Sequence, residues 1–108
     1  MNYEIIAVPN FLKEVKKLSK KYASLKSDLS DLFLSLEKNP TLGTPLGRNC
    51  FKIRLAITSK SKGKSAGARI ITNFTISENK IYLLSIFDKS NKESLTDKEL
   101  IDLFKSIE

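Results

Sequence analysis

Apolar residues first recur at Phe11, Val15, Leu18 and Tyr22, three or four positions apart, and this spacing predicts an amphipathic helix opening at Pro9. Proline suits that first turn because it lacks the N–H that would go unpaired there. Lys13, Lys16, Lys17, Lys20 and Lys21 fall mostly on the outer side of this helix. Leu25, Leu29, Leu32, Phe33 and Leu36 carry the same period into a second helix. It stops at Asn39-Pro40, since the residue before a proline disfavours helical geometry. Only Ala23-Ser24 separates the two, which implies a helical hairpin. Ahead of it, residues 2–7 read as a short strand.

The period then changes. Thr41 to Asn49 holds two glycines and a proline and reads as a loop. Phe51, Ile53, Leu55 and Ile57 alternate with Cys50, Lys52, Arg54, Ala56 and Thr58, a period of two that predicts a strand with one apolar face. A polar, glycine-containing connector covers residues 59–67. A second strand is expected over 68–76, with Ile70, Thr72, Phe74 and Ile76 on one side. Glu78-Asn79 marks a turn, and residues 80–87 are apolar on both faces, as a central strand should be. Near the C-terminus, Thr96-Asp97-Lys98-Glu99 has the form of a capping box, flanked by Leu95 and Leu100 as a hydrophobic staple. Leu100, Phe104 and Ile107 give the helix that follows a buried face. The order β-α-α-β-β-β-α predicts an α+β fold: an N-terminal strand and helical hairpin packed on a small antiparallel sheet, with a C-terminal helix. Residues 1–108 are expected to form one domain.

Charge sharpens this picture. The chain carries 19 basic and 12 acidic residues, a formal net charge of +7. The window 39–77 contains Arg48, Lys52, Arg54, Lys60, Lys62, Lys64 and Arg69 and no acid, so it accounts for the whole excess. Like charges so clustered repel one another in the folded state, and a polyanionic partner is the natural explanation. The N-terminus lacks the features of a secretory signal, and no apolar run approaches the roughly 20 residues needed to span a bilayer, so a cytoplasmic protein without membrane contact is expected. A single cysteine, Cys50, excludes an internal disulfide, and the chain has no histidine. No metal or other cofactor is expected, and any acid–base chemistry must use Lys, Arg, Tyr, Asp or Glu.

Two residues apart on a strand, Lys52 and Arg54 project from the same face about 6.5–7 Å from each other, close to the spacing of successive phosphates. Arg69 opens the neighbouring strand and Lys89 ends the central one, so both are candidates for the same basic face; single-stranded RNA is the ligand it would suit. A solvated polar face would also place charge there, but such faces normally mix signs. Gly63-Lys64-Ser65 has the form of the end of a phosphate-binding loop. The glycine such a loop needs five positions earlier would fall at Thr58, and a strand follows instead of a helix. A basic loop of Lys60, Lys62 and Lys64 that clamps a nucleic-acid backbone is the better reading. Phe87 and Tyr82, on the expected central strand, suit the core better than base stacking. Cys50 has no catalytic base nearby in sequence and reads as inert.

The helical hairpin, the run Cys50-Phe51-Lys52-Ile53-Arg54-Leu55, the run from Gly63 through Arg69 to Ile71, and the run from Ile81 to Ser90 together resemble the RelE/ParE toxin superfamily. The G-K-S-x-G-A-R-I-I stretch is most similar to HigB-type members, and the resemblance covers nearly the whole chain. It implies the toxin of a type II toxin–antitoxin system: a ribosome-dependent, metal-independent endoribonuclease (an mRNA interferase) that inhibits translation by cutting mRNA in the ribosomal A site through attack of the ribose 2′-OH. The implied partners are a cognate antitoxin, the ribosome and mRNA. By the same resemblance Lys52 and Arg54 match the basic pair, one of them a candidate general base and both phosphate ligands. Arg69 matches the arginine that offsets charge developing on the phosphate, and Lys64 the hairpin lysine. Arg48, Lys60, Lys62, Lys89 and Phe87 are candidate RNA-binding residues. The chemistry is sensible, since in-line attack places negative charge on non-bridging oxygens and fixed cations offset it.

The chain departs from RelE at two places. Ser90 follows Lys89 where RelE has a second arginine, and Thr96 stands in the region of a base-stacking tyrosine, leaving Phe87 or Lys89 as substitutes. A ParE-like toxin that inhibits DNA gyrase without cutting RNA, or a degenerate antitoxin-binding protein, are the alternatives. ParE-type members generally lack the basic pair.

Overall fold

The structure is a computed structural model that describes residues 3–60, 67–90, 92 and 94–107. In chain order the elements are β1 (Glu4–Ala7), α1 (Pro9–Lys21), α2 (Leu25–Lys38), β2 (Thr44–Gly47), β3 (Cys50–Leu55), β4 (Ala68–Thr75), β5 (Lys80–Asp88) and α3 (Asp97–Phe104). One-turn 3-10 helices cover Thr58–Lys60, Ile76–Glu78 and Lys105–Ile107. Five strands form one sheet in the order β1-β5-β4-β3-β2. The helical hairpin packs on one face, where Phe11, Leu29, Phe33 and Leu83 of β5 line a shared cavity of about 450 Å³. Leu25, Leu36, Ile70, Ile81 and Leu84 are fully buried.

The expected α+β fold is present, with two additions. β1 pairs with β5 in parallel, so the sheet is mixed where an antiparallel one was expected. Thr41 to Asn49, expected as a loop, contains β2, which pairs antiparallel with β3. Pro45 is compatible with a strand here because β2 is the sheet edge and a bulge separates Pro45 from Gly47. Arg48 and Asn49 have φ of 56° and 59°, both left-handed, which makes the two-residue connection a type I′ hairpin turn. Buried Asn73 of β4 pins this turn by donating to the Arg48 carbonyl at 3.1 Å, and the Phe74 N–H donates to the Asn49 carbonyl at 2.9 Å. The capping box of α3 is formed as expected: Thr96 accepts from the Glu99 N–H, and Glu99 accepts from the Thr96 N–H.

β5 presents a problem that α1 solves. β1 covers its outer edge only as far as Leu83, leaving later backbone groups unpaired by any strand. α1 lies against that edge and supplies side-chain partners: Asn10 Nδ2 donates to the Leu84 carbonyl at 3.0 Å, and Glu14 Oε1 accepts from the Ile86 N–H at 3.2 Å. The same Glu14 oxygen accepts from Ser85 Oγ and Asn10 Nδ2, each at 2.9 Å. Burial pushes the Glu14 carboxyl above its ordinary pKa; the hydrogen bonds from Ser85, Ile86 and Asn10 and the Lys92 charge pull back only part of that rise.

Replacing Glu14 by alanine leaves the Ile86 amide and Ser85 hydroxyl without this acceptor at a closed edge. Urea denaturation of Glu14→Ala is expected to show a loss of about 1–3 kcal/mol with an unchanged m value.

Candidate nucleic-acid interface

Strand register brings the candidate cations together. Lys52 lies opposite Ile71, Arg54 opposite Arg69, and Arg69 in turn opposite Phe87. Directly paired residues project to the same face, so Arg54, Arg69 and Phe87 form one cross-strand row with Lys52 two residues along. The Phe74-to-Asn49 backbone bond sets the phase of the β3–β4 ladder and makes Arg54 and Arg69 a non-hydrogen-bonded pair. Their Cα atoms are therefore only about 4.5 Å apart. This face is opposite the helical hairpin. Asp88, next to Phe87 on β5, accepts from the Tyr22 hydroxyl at the end of α1, and alternation turns Phe87 and Arg69 the other way.

The members of the row differ in exposure. Arg54 is exposed and Lys52 half-buried on this face. Arg69 is 1% exposed, and its Nη1 donates to the Ala68 carbonyl at 3.1 Å. It underlies the surface that Arg54 presents.

Neutral and acidic residues that sequence reasoning passed over hold this arrangement. Buried Asp28 of α2 accepts from Thr58 Oγ1 at 2.6 Å, from the Thr58 N–H at 3.0 Å and from Ser24 Oγ at 2.9 Å, tying the helical hairpin to the chain just past β3. Burial alone would raise its pKa, but these bonds together outweigh burial and hold the carboxyl below its ordinary value. Gly67 lets β3 and β4 approach, since a Cβ there would lie 1.9 Å from the Leu55 carbonyl oxygen. Its own carbonyl accepts from the Lys89 N–H at 3.1 Å. Asp88 Oδ1 accepts from the N–H and hydroxyl of Ser90 and closes the turn after β5. A lone acid in a lysine-rich helix (Glu14), an acid at an apolar-flanked position (Asp28) and an asparagine inside an apolar strand (Asn73) were the available signals.

Not every candidate joins the row. Arg48 is exposed in the β2–β3 turn, six residues and about 20 Å along the strand from Arg54, beside Ile101 and Phe104 of α3. It is separate from the cluster. Lys89 is half-buried at the β4–β5 end. Phe87, a candidate RNA-binding residue, is buried at 7% exposure on β5, which lies beside the central strand β4 and not at the centre expected for it; the Lys92 ammonium sits 5.5 Å from its ring centroid. Lys62, Lys64 and the Lys60 side chain lie outside the described residues. Cys50 is fully buried and burial raises its thiol pKa, consistent with an inert residue. Among the described residues no group of three or more His, Cys, Asp or Glu is arranged to hold a metal ion, and no helix is long and apolar enough to cross a membrane.

Two stability measurements test the support of this face. Gly67→Ala forces the β3–β4 end apart and is expected to lower the thermal midpoint; hydrogen exchange at Arg69 and Ile70 should accelerate more than at Ile81. For Asp28 the sign follows from its depressed pKa. The stability it adds is full above the unfolded value of 3.8 and is lost as pH falls through the lower folded value. The stability gap between the wild type and Asp28→Asn in urea should therefore be largest near neutral pH and close in strong acid.

No family model matches the sequence, and no curated protein matches it. Solved structures do. The Escherichia coli toxin RelE, as a double arginine-to-alanine variant in the free state, aligns with a TM-score of 0.64 at 16% identity, covering 98% of this chain and 94% of that one. A chain of the intact E. coli RelBE toxin–antitoxin complex aligns at 0.62 and 19% identity, over 80% of this chain and 95% of its own. A chain of the RelBE2 toxin–antitoxin complex of Mycobacterium tuberculosis aligns at 0.61 and 16% identity, over 82% and 99%. Likeness at these identities is likeness of backbone, carried across nearly all of both chains: this chain has the fold of the RelE toxins.

Proposed function

We propose that this chain is the toxin of a type II toxin–antitoxin pair and acts as a ribosome-dependent endoribonuclease on mRNA. The observation that carries the reading is the direct opposition of Arg54 and Arg69, with Lys52 beside them, on a RelE-type sheet. Exposed Arg54 and half-buried Lys52 offer positive charge from one strand face at a spacing that suits a phosphodiester backbone. A cognate antitoxin, the ribosome and mRNA are the partners that accompany this reading.

In the proposed reaction the ribose 2′-oxygen forms a bond to the adjacent phosphorus as the bond to the 5′-oxygen breaks. The products are a 2′,3′-cyclic phosphate and a 5′-hydroxyl, the departing 5′-oxygen taking its proton from solvent water. Arginine stays protonated, so abstraction of the 2′-OH proton falls to Lys52, the lysine of this cluster. Arg54, on the surface, ligates a non-bridging oxygen, and Arg69 beneath it supplies fixed positive charge as the phosphorane becomes more negative.

Primer extension on transcripts after induced expression tests this. Cuts are expected within translated messages, reduced roughly 100-fold or more by Lys52→Ala and by Arg54→Ala. Arg69→Ala removes a buried side chain, so its effect on cutting is read alongside its unfolding midpoint. Growth arrest that persists in the Lys52→Ala and Arg54→Ala variants without RNA cuts would overturn the nuclease reading, and a DNA-damage response in its place would favour a gyrase-directed toxin.

A further inference from the structure

α1 carries Lys13, Lys16, Lys17, Lys20 and Lys21 within an arc of about 140°, all exposed. In sequence Glu14 interrupts them, but in the fold it is turned onto the β5 edge and taken up by Asn10, Ser85 and Ile86. The outer face of the helix is therefore purely cationic. Lys21 approaches Asp88 at 3.7 Å, while Lys13, Lys16, Lys17 and Lys20 pair with no acid among the described residues. Lys20 and Lys21 suit the negative end of the helix dipole. Lys13, Lys16 and Lys17 have no such reason, and the i,i+4 pairs Lys13/Lys17 and Lys16/Lys20 oppose helix formation.

On the α2 side of α1, Lys16, Lys20 and Lys26 surround a cavity of about 410 Å³. The Ser19 hydroxyl oxygen, which also lines it, is buried and makes no hydrogen bond. Leu12 and Val15 complete the lining, so the charge around this cavity comes from the three lysines alone. On the β5 side, Lys13 and Lys17 border a second cleft that includes Phe87, the last member of the Arg54–Arg69–Phe87 row. The two carboxylates bordering that cleft, Glu14 and Asp88, are engaged with backbone and hydroxyl donors. Cations thus continue from the sheet across the β5 edge and around α1.

We infer that the lysine face of α1, with Lys26 of α2, is a second phosphate-binding surface that takes the backbone of an RNA extending beyond the linkage held at the sheet. A polynucleotide is favoured over a free phosphate because the cations repeat along the helix at about 6 Å per turn of lysines rather than converging on a single point. The inference concerns binding and goes beyond the cleavage reading, so it is tested in the Lys52→Ala background, where cleavage plays no part.

The probe is a fluorescent 2′-O-methyl RNA of about 30 nucleotides, compared with a tetranucleotide, titrated by anisotropy across a range of salt. Combining Lys16→Gln, Lys20→Gln and Lys26→Gln is expected to lower the log–log salt slope for the long RNA by about one unit per lost contact and leave the tetranucleotide unchanged. Arginine at the same three positions should restore the slope, and Lys13→Gln with Lys17→Gln should lower it independently. An unchanged slope in folded variants overturns the inference. So does saturable competition by inorganic phosphate at constant ionic strength, which would mark a small-anion site. Loss of binding to an acidic protein with RNA binding intact also overturns it.

Discussion

The pairing of β3 with β4 is the constraint on which the basic face depends. Side chains alternate along a strand, so a slip of one residue would carry Lys52 and Arg54 to the helix-covered side and Ile53 to the surface. Three local features oppose that slip from different directions. The type I′ turn at Arg48-Asn49, held by Asn73, fixes one end. Gly67, admitted against the Leu55 carbonyl where a larger residue would clash, fixes the other. Between them Ile53 and Ile70 are buried in the core. Arg54 meets Arg69 because apolar packing and backbone geometry require that register.

The acids of this chain do a different job from its bases. Glu14, Asp28 and Asp88 are drawn inward and used by backbone amides and hydroxyls: the β5 edge, the exit of β3 and the turn after β5. The lysines of α1 stay outside. Sequence outside the 39–77 window balances to zero charge, yet the balance does not hold in space. Carboxylates committed to internal hydrogen bonds neutralise their neighbours less than exposed ones would, and a helix that is nominally mixed in sign presents only cations. One arrangement therefore serves both folding and surface potential. Edge groups left by a short parallel strand need acceptors, and the acceptor chosen is the acid that would otherwise have neutralised α1.

Legibility in the sequence followed how local the determinant was. The helix spans of α1 and α2, the capping box at Thr96 and the alternating strand at Cys50–Leu55 follow from spacing and short-range chemistry. β2 was hidden because glycine and proline signal a loop, and only its position at the sheet edge makes Pro45 acceptable there. The parallel entry of β1 was hidden because nothing within residues 4–7 records which strand they meet, some 75 positions later. Phe87 read as core more readily than as a stacking platform, and its burial agrees with that reading.

By itself, the sequence determined the helical segments and the extended ones apart from β2, that seven cations fall in one acid-free window, and that Lys52 and Arg54 share a face. These follow from periodicity and composition, which are properties of neighbouring residues. Tertiary structure decided that Arg69 faces Arg54 from beneath the surface, that Arg48 stands apart, and that Glu14 is turned away from the lysines around it. Burial and cross-strand partnership arise between residues far apart in the chain, so their energies are settled only when the sheet and the helical hairpin close on one another.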